Sequence, residues 1–369
     1  MPTLCAAGNN GKGDGPMSGR FMGWEQGNSP CVLYRGRELT PQKLYTLLLK
    51  LWKRDTCAPR MRKDWTEENP TLGQCSITAF LAQDIFGGKV YGVPLGDGNF
   101  HCFNAGEGWR FDLTSEQFGA TILSYENAPE QFREAHFAKE EKRLRYEALK
   151  ASLHAALREM GEMRIALTFD DGPNTSITPQ VLDILKENGA VASFFLIARN
   201  IDESSAQVAR RAWEMGCEIN NHSLTHSHMG AMTAEEIRRE VADCTEKIVE
   251  ITGAPPRFFR PPYIDVSPTL FDAVDLTFIC GVGCQDWIMD VSAQERIDTI
   301  LRTARDGGIV LLHDMPGNVN TVEAVKKVIP ELKAWGFRFV TCGQLFDETA
   351  TRPVRGRLYS SVYQTADRI

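Results

Sequence analysis

The stretch Arg164–Pro173 reads RIALTFDDGP: an apolar, strand-like run drives into two adjacent carboxylates and halts at Gly-Pro. Neighbouring like charges repel, and burying unpaired carboxylates is costly. Asp170 and Asp171 therefore require a cation or a shared proton from elsewhere in the chain. Outward from this stretch the same pattern recurs. Apolar runs of strand length (VASFFLI from Val191, FRPPY from Phe259, TFICGVG from Thr277, GIVLLHD from Gly308, FRFVTC from Phe337) alternate with helical segments. Strands alternating with helices predict βα units around a parallel sheet, with a barrel as one closed solution. In the longest helical segment Thr233 and Glu236 form a capping box and Gly253 supplies the stop.

The remainder of the 369 residues reads differently. Residues 1–35 are rich in Gly, Asn and Pro without apolar periodicity and are expected to form a flexible leader. Thr40-Pro41 places an N-cap and a first-turn proline before LYTLLLKLW, a helix. A second helix opens near Cys75 and ends at Gly87-Gly88, and short strands follow around 89–93, 99–104 and 109–113. This predicts a small α+β domain over 36–125. Residues 126–160 are charged and helix-favouring, as expected of a helical connector on which His136 and His154 are solvated. The βα domain then spans 161–350, and 351–369 form a C-terminal tail.

A net charge of −7 argues against nucleic-acid binding, and no apolar run approaches the about 18 residues of a membrane span. Without a signal-peptide pattern the chain is expected to be cytoplasmic. Its ten cysteines lack a CxxC pair and read as free thiols, Cys280 and Cys284 included. Nothing in the sequence speaks to oligomeric state.

Active groups on βα folds sit at the carboxyl ends of strands, where Asp170 and Asp171 fall. His222 and His226 in HSLTH are four apart, so a single helical turn would aim both at one point, a spacing that suits a metal. One aspartate would complete a His2Asp set with positions open for water and substrate. His228, offset by two, points elsewhere. Taken separately, DD is a turn signal and HxxxH a solvated helical face. Arg260 in FFRPPY and the LLHD of Leu311–Asp314 add further charged groups at strand ends, and together they point to a site.

TFDDGP, HSLTH, RPPY, DW and LLH, in that order over residues 163–347, resemble the five motifs of the polysaccharide deacetylase family (carbohydrate esterase family 4, the NodB homology domain). The resemblance implies a distorted (β/α) barrel and removal of acetyl groups from N-acetylglucosamine units or, in some branches, from xylan. It implies a divalent metal, zinc foremost with cobalt or manganese as alternatives, held by Asp171, His222 and His226. Asp170 would be the general base, steadied by Arg260, and His313 the acid that protonates the departing amine. The backbone N–H of Tyr263 would face the oxyanion, and Leu311 and Trp287 would wall the acetyl pocket. Many members carry an additional aspartate three residues before that of DW. Gly283 stands there in this chain, leaving Asp286 alone to orient His313.

In the first domain the chain orders Cys75, His101 and Asp112. A thiol at a helix N-terminus has a lowered pKa, and a His on one strand with an Asp on the next is an arrangement that cysteine nucleophiles use; a buried thiol beside a satisfied strand histidine is the alternative. The segment around 40–120 resembles the YunG-like family, which implies no activity. The expected partner is an acetylated saccharide, with neither nucleic acid nor membrane. The leading expectation is an N-acetyl sugar deacetylase. An O-acetyl esterase on xylan and a non-catalytic carbohydrate-binding protein stand as alternatives.

Overall fold

The structure, a computed structural model, describes residues 21–25, 27–96 and 98–364. The first 20 residues of the expected leader lie outside them. The chain divides after Met160 into two compact units.

In the first unit, β1 (Val32–Tyr34) and β2 (Arg37–Leu39) form an antiparallel hairpin. Helix α1 (Pro41–Leu51) follows, its Thr40 hydroxyl accepting the Lys43 N–H at 3.3 Å. Helix α2 (Cys75–Phe86) ends at Gly87, whose φ of +72° a side chain would strain. An antiparallel sheet in the order β5-β4-β3-β6 comprises β3 (Lys89–Pro94), β4 (Phe100–Gly106), β5 (Trp109–Phe111) and β6 (Glu130–Gln131).

Three expectations fail here. The connector is not a spacer: α3 (Arg133–Phe137) and α4 (Glu140–Glu159) belong to the first unit. Tyr146, Leu149, Leu153 and Leu157 of α4 bury one face in the core that holds Leu44, Leu48 and Phe80. Those four residues form a narrow apolar stripe that the surrounding charge conceals in the sequence. Nor are its histidines solvated. His154 accepts from Arg35 Nη1 at 2.8 Å and bonds the Tyr34 hydroxyl at 2.9 Å. Burial, helped by the Lys142 charge, pulls His136 down to about 4. The leader is likewise not all flexible: Phe21 is buried in this core and packs on Trp24 and Tyr45.

The second unit interleaves β7 (Met163–Asp170), α5 (Thr178–Glu187), β8 (Ser193–Leu196), α6 (Glu203–Glu214), β9 (Glu218–Asn221), α7 (Ala234–Thr252), β10 (Phe258–Phe259), α8 (Pro268–Ala273), β11 (Thr277–Ile279), β12 (Val282–Gly283), α9 (Ala293–Thr303), β13 (Gly308–His313), α10 (Val319–Trp335), β14 (Phe337–Phe339), α11 (Cys342–Glu348) and β15 (Leu358–Tyr359). Among the described residues these strands make a nine-stranded sheet, ordered β12-β13-β7-β8-β9-β10-β11-β15 with β14 beside β7, and every pairing is parallel. The curled sheet is the expected distorted barrel, its strands packed beneath helices such as α5 and α10. The capping box at α7 and its left-handed stop at Gly253 (φ +74°) are both present. No helix among the described residues is long and apolar enough to cross a membrane.

The expected tail is in fact a seam. Leu358 and Tyr359 extend the sheet beside β11, while Ser361 bridges Gly308 at the start of β13 and the Ser360 carbonyl accepts the Ile309 N–H at 3.1 Å. One short segment thereby joins the two ends of the curled sheet. Tyr359 is buried against Phe346 with a ring separation of 5.1 Å. Tyr359→Ala should cost about 3–5 kcal/mol by urea unfolding, the loss typical of a buried aromatic truncated to alanine. An unchanged midpoint and slope would show that the seam contributes nothing to stability.

Candidate active site

Strand register delivers the site. In the β13/β7 ladder His313 stands directly opposite Asp170, and in the β10/β9 ladder Phe259 stands opposite Asn221. Arg260 and His222, each the next residue, thus leave the sheet side by side. All of these positions lie at the carboxyl ends of their strands.

Asp171 Oδ1 lies 3.5 Å from His222 Nε2 and 3.3 Å from His226 Nε2, and the three atoms converge within 4.8 Å of one another. His222 Nδ1–H donates to the Arg260 carbonyl at 2.6 Å, which fixes the tautomer and turns the Nε2 lone pair inward. Asp171 Oδ1 is buried without a hydrogen-bond partner. A carboxylate oxygen and imidazole lone pairs facing one another repel unless a cation lies among them. One carboxylate with two imidazoles is a donor set that suits zinc and accepts cobalt or manganese, so these residues fit a divalent metal. Burial opposes ionisation of Asp171, but its nearness to His222, with His313 and His226, holds its carboxyl below the usual range. Burial, then the His222 charge, pulls His226 down, toward the neutral form a ligand requires.

HSLTH is not the helical turn that its spacing suggests; residues 222–229 form a loop. Ser223 and His226 both take left-handed φ values, +69° and +61°. Local bonds hold that backbone: Asn221 Oδ1 accepts the Ser223 N–H at 2.8 Å, and Ser223 Oγ accepts the His226 N–H at 3.0 Å. Glu240 of α7 clamps Thr225 through its N–H at 2.9 Å and its hydroxyl at 2.7 Å. His228 points away, 70% exposed, and stacks on Tyr263 at 4.0 Å.

Beside the triad, Arg260 Nη1 donates to Asp170 Oδ1 at 2.5 Å, both groups being buried, and the guanidinium lies 4.2 Å over the Phe195 ring. Asp286 is fully buried; its carboxylate accepts the His313 backbone N–H at 2.7 Å and His313 Nδ1–H at 2.8 Å. Burial pulls against the protonated ring, but the hydrogen bond and charge of Asp286, with Asp170 and Asp171, outweigh it and raise His313 to about 9. The Tyr263 ring sits 4.6 Å from that of His226, on a backbone with φ +57°. Trp287 stands edge-on to His313 at 5.7 Å. A Cβ placed on Gly283 would meet the Trp287 ring at 3.3 Å and Leu311 Cδ2 at 3.8 Å, so these three residues share one wall.

Several supporting residues carry no sequence signal. Thr321 Oγ1 donates to Asp286 at 2.9 Å, and the buried Arg296 donates to Thr321 at 2.7 Å and to Asn318 at 2.5 Å. Asp314, whose N–H bonds the Asp170 carbonyl at 3.1 Å, sits so close beneath Gly172 that a Cβ there would lie 2.8 Å from its carboxylate. Only glycine fits at that position. In the first unit, Cys75, His101 and Asp112 are also drawn together, with His101 Nε2 2.6 Å from Asp112 Oδ2. Among the described residues no metal-ligand cluster includes Cys280 or Cys284; Cys284 is buried and Cys280 half-buried.

The polysaccharide deacetylase family profile matches residues 158–277. A peptidoglycan-N-acetylglucosamine deacetylase of Bacillus cereus is 35% identical over 192 residues, half of this chain and 88% of that protein. The chain belongs to the polysaccharide deacetylase family. Its second unit is 43% identical over 199 residues to a bifunctional xylanase/deacetylase of Pseudobutyrivibrio xylanivorans; the match takes in 54% of this chain but only 33% of that relative. A family 4 acetyl xylan esterase from Clostridium thermocellum, solved in complex with a cobalt ion, superposes with a TM-score of 0.53. It is 40% identical, and the match covers 55% of this chain and all of that one. The first unit carries a YunG domain, matched over residues 40–158.

Proposed function

We propose that the deacetylase unit hydrolyses acetyl groups from saccharides with the help of a divalent metal at Asp171, His222 and His226. The carrying observation is that Asp170 and His313 stand as register partners on adjacent strands, beside that ligand set. When bound, the metal polarises the acetyl carbonyl and acidifies water. Asp170 takes the proton from the attacking water, and Arg260 keeps its carboxylate aimed. The Tyr263 backbone N–H faces the oxyanion. His313, held protonated by Asp286, gives its proton to the departing atom, which an amide nitrogen needs in order to leave. Trp287, Leu311 and Gly283 wall the methyl group. A complete set of ligands, base and acid supports catalysis over a non-catalytic binding role.

The first reading of the substrate is an N-acetylglucosamine-type saccharide, chitooligosaccharide or peptidoglycan-like, because a strongly held imidazolium suits an amine leaving group. Similarity to the xylanase/deacetylase and to the acetyl xylan esterase favours a second, O-acetylated xylan. Acetate release from penta-N-acetylchitopentaose and from acetylated xylan, with Zn2+, Co2+ or Mn2+ added to EDTA-treated protein, tests both. Faster release from the chitin oligomer supports the first, faster release from xylan the second, and release from neither under any metal refutes the proposal.

The acid works only while protonated, so activity should fall as pH rises through the raised His313 pKa. Asp286→Asn removes the charge that raises it, and the alkaline limb of kcat against pH should move down, toward the ordinary imidazole range near 6.5. An unmoved limb would remove His313 from the acid role.

A further inference from the structure

We propose that the YunG domain holds a catalytic centre of its own, in which Cys75 attacks an amide carbonyl, His101 carries the proton and Asp112 orients His101. Three elements build it. Cys75 is the first residue of α2, a helix whose N-terminus has no side-chain cap, so first-turn N–H groups are available to a developing oxyanion. His101 lies within β4 and Asp112 directly follows β5, both buried, with Nε2 to Oδ2 at 2.6 Å. Asp112 is itself held, accepting from the Tyr125 hydroxyl at 2.8 Å and the Thr114 N–H at 3.0 Å. The Asp112 bond fixes Nε2 as an N–H and leaves Nδ1 to face the thiol, which lies within hydrogen-bond reach of His101. Gln117 Nε2 lies 3.3 Å from the same nitrogen, and Gln117 Oε1 accepts the Gly73 N–H at 3.4 Å, two residues before the nucleophile.

The charges follow this geometry. The neighbouring Cys102 thiol, with the hydrogen bond and charge of His101, outweighs burial and holds Cys75 well below the usual thiol range. His101 is raised to about 10: burial works against it, but the charge and hydrogen bond of Asp112 prevail. A purely structural cysteine in an apolar site is pushed the other way, as Cys244 and Cys284 are, to about 12 by burial.

The chemistry closes with water as the only co-substrate. With the thiol proton already on His101 Nδ1, sulfur bonds to the carbonyl carbon, and the π pair moves onto oxygen at the α2 N-terminus. Collapse breaks the C–N bond as Nδ1 returns its proton to the amine. Water, deprotonated at Nδ1, then cleaves the thioester, releasing the carboxylic acid and restoring the thiol. An amide is favoured over an ester because its nitrogen needs the proton that His101 holds.

The test labels the intact chain with iodoacetamide across pH 5–9 and maps each modified thiol by mass spectrometry. Cys75 should react at pH 6 on the order of tenfold faster than Cys280, with a midpoint well below the about 8.5 of an ordinary thiol. His101→Ala should raise that midpoint toward the ordinary range, and Asp112→Asn, the gentler change should His101→Ala not fold, should raise it by less. N-acetylglycine p-nitrophenyl ester should leave an acyl adduct on Cys75 that Cys75→Ser abolishes. An ordinary midpoint, a midpoint indifferent to both variants, the absence of an adduct, or recovery of Cys75 as a disulfide with Cys102 overturns the proposal.

Discussion

Asp170→Asn should lower kcat for acetate release by about 10²–10⁴-fold, the contribution typical of a positioned general base, while bound metal stays stoichiometric. Asparagine keeps the shape and still accepts from Arg260, but it cannot take a proton from water. The same change leaves the fully buried Arg260 guanidinium facing a neutral partner. Removing one member of a buried pair outright costs about 3–5 kcal/mol, so a lowered melting temperature should accompany the lost activity, moderated by the surviving hydrogen bond. Turnover measured well below that melting point, alongside metal analysis, separates the two effects. Undiminished turnover would take the base role away from Asp170.

The second large effect concerns the metal. His222→Ala should abolish stoichiometric binding, exceeding the about 10–100-fold that losing only a supporting hydrogen bond costs. Binding to the folded state alone adds about 2.7 kcal/mol when ligand is at a hundred times its dissociation constant. Zinc added to EDTA-treated wild-type protein should therefore raise the melting temperature, whereas His222→Ala should show no such rise. Equal rises in both proteins would place the binding elsewhere.

How much of this was legible depended on whether a residue's role left a local trace. β7 announces itself because its apolar run ends in Asp170 and Asp171, and β13 does the same with His313. β9, which carries the chain into His222, is not among the apolar runs. Its sequence EINN has only one apolar residue, because Asn220 and Asn221 are buried with their amides bonded, Asn221 to the Val241 carbonyl at 2.8 Å and Asn220 Oδ1 to the Phe258 N–H at 3.2 Å. Satisfied amides can line an interior without apolar periodicity. The spacing of His222 and His226 pointed to a shared target but to the wrong backbone, since two left-handed residues and not a helical turn bring them together. Arg296, Asn318 and Thr321 were invisible for another reason: each acts through Asp286, from elements that only the fold brings near. The α4 stripe and the β15 seam, both short of apolar residues, illustrate how a few well-placed side chains decide packing that composition averages away.

The ladder between β7 and β13 has a consequence for how such a site can change. Adjacent strands are held about 4.8 Å apart by backbone hydrogen bonds, whatever side chains they carry. Since His313 and Asp170 are register partners, their spacing is a property of the main chain. Trp287 instead projects from the loop beyond β12 and is about half exposed. Recognition can therefore drift by loop replacement, one sugar exchanged for another, while the proton-transfer distance is inherited unaltered.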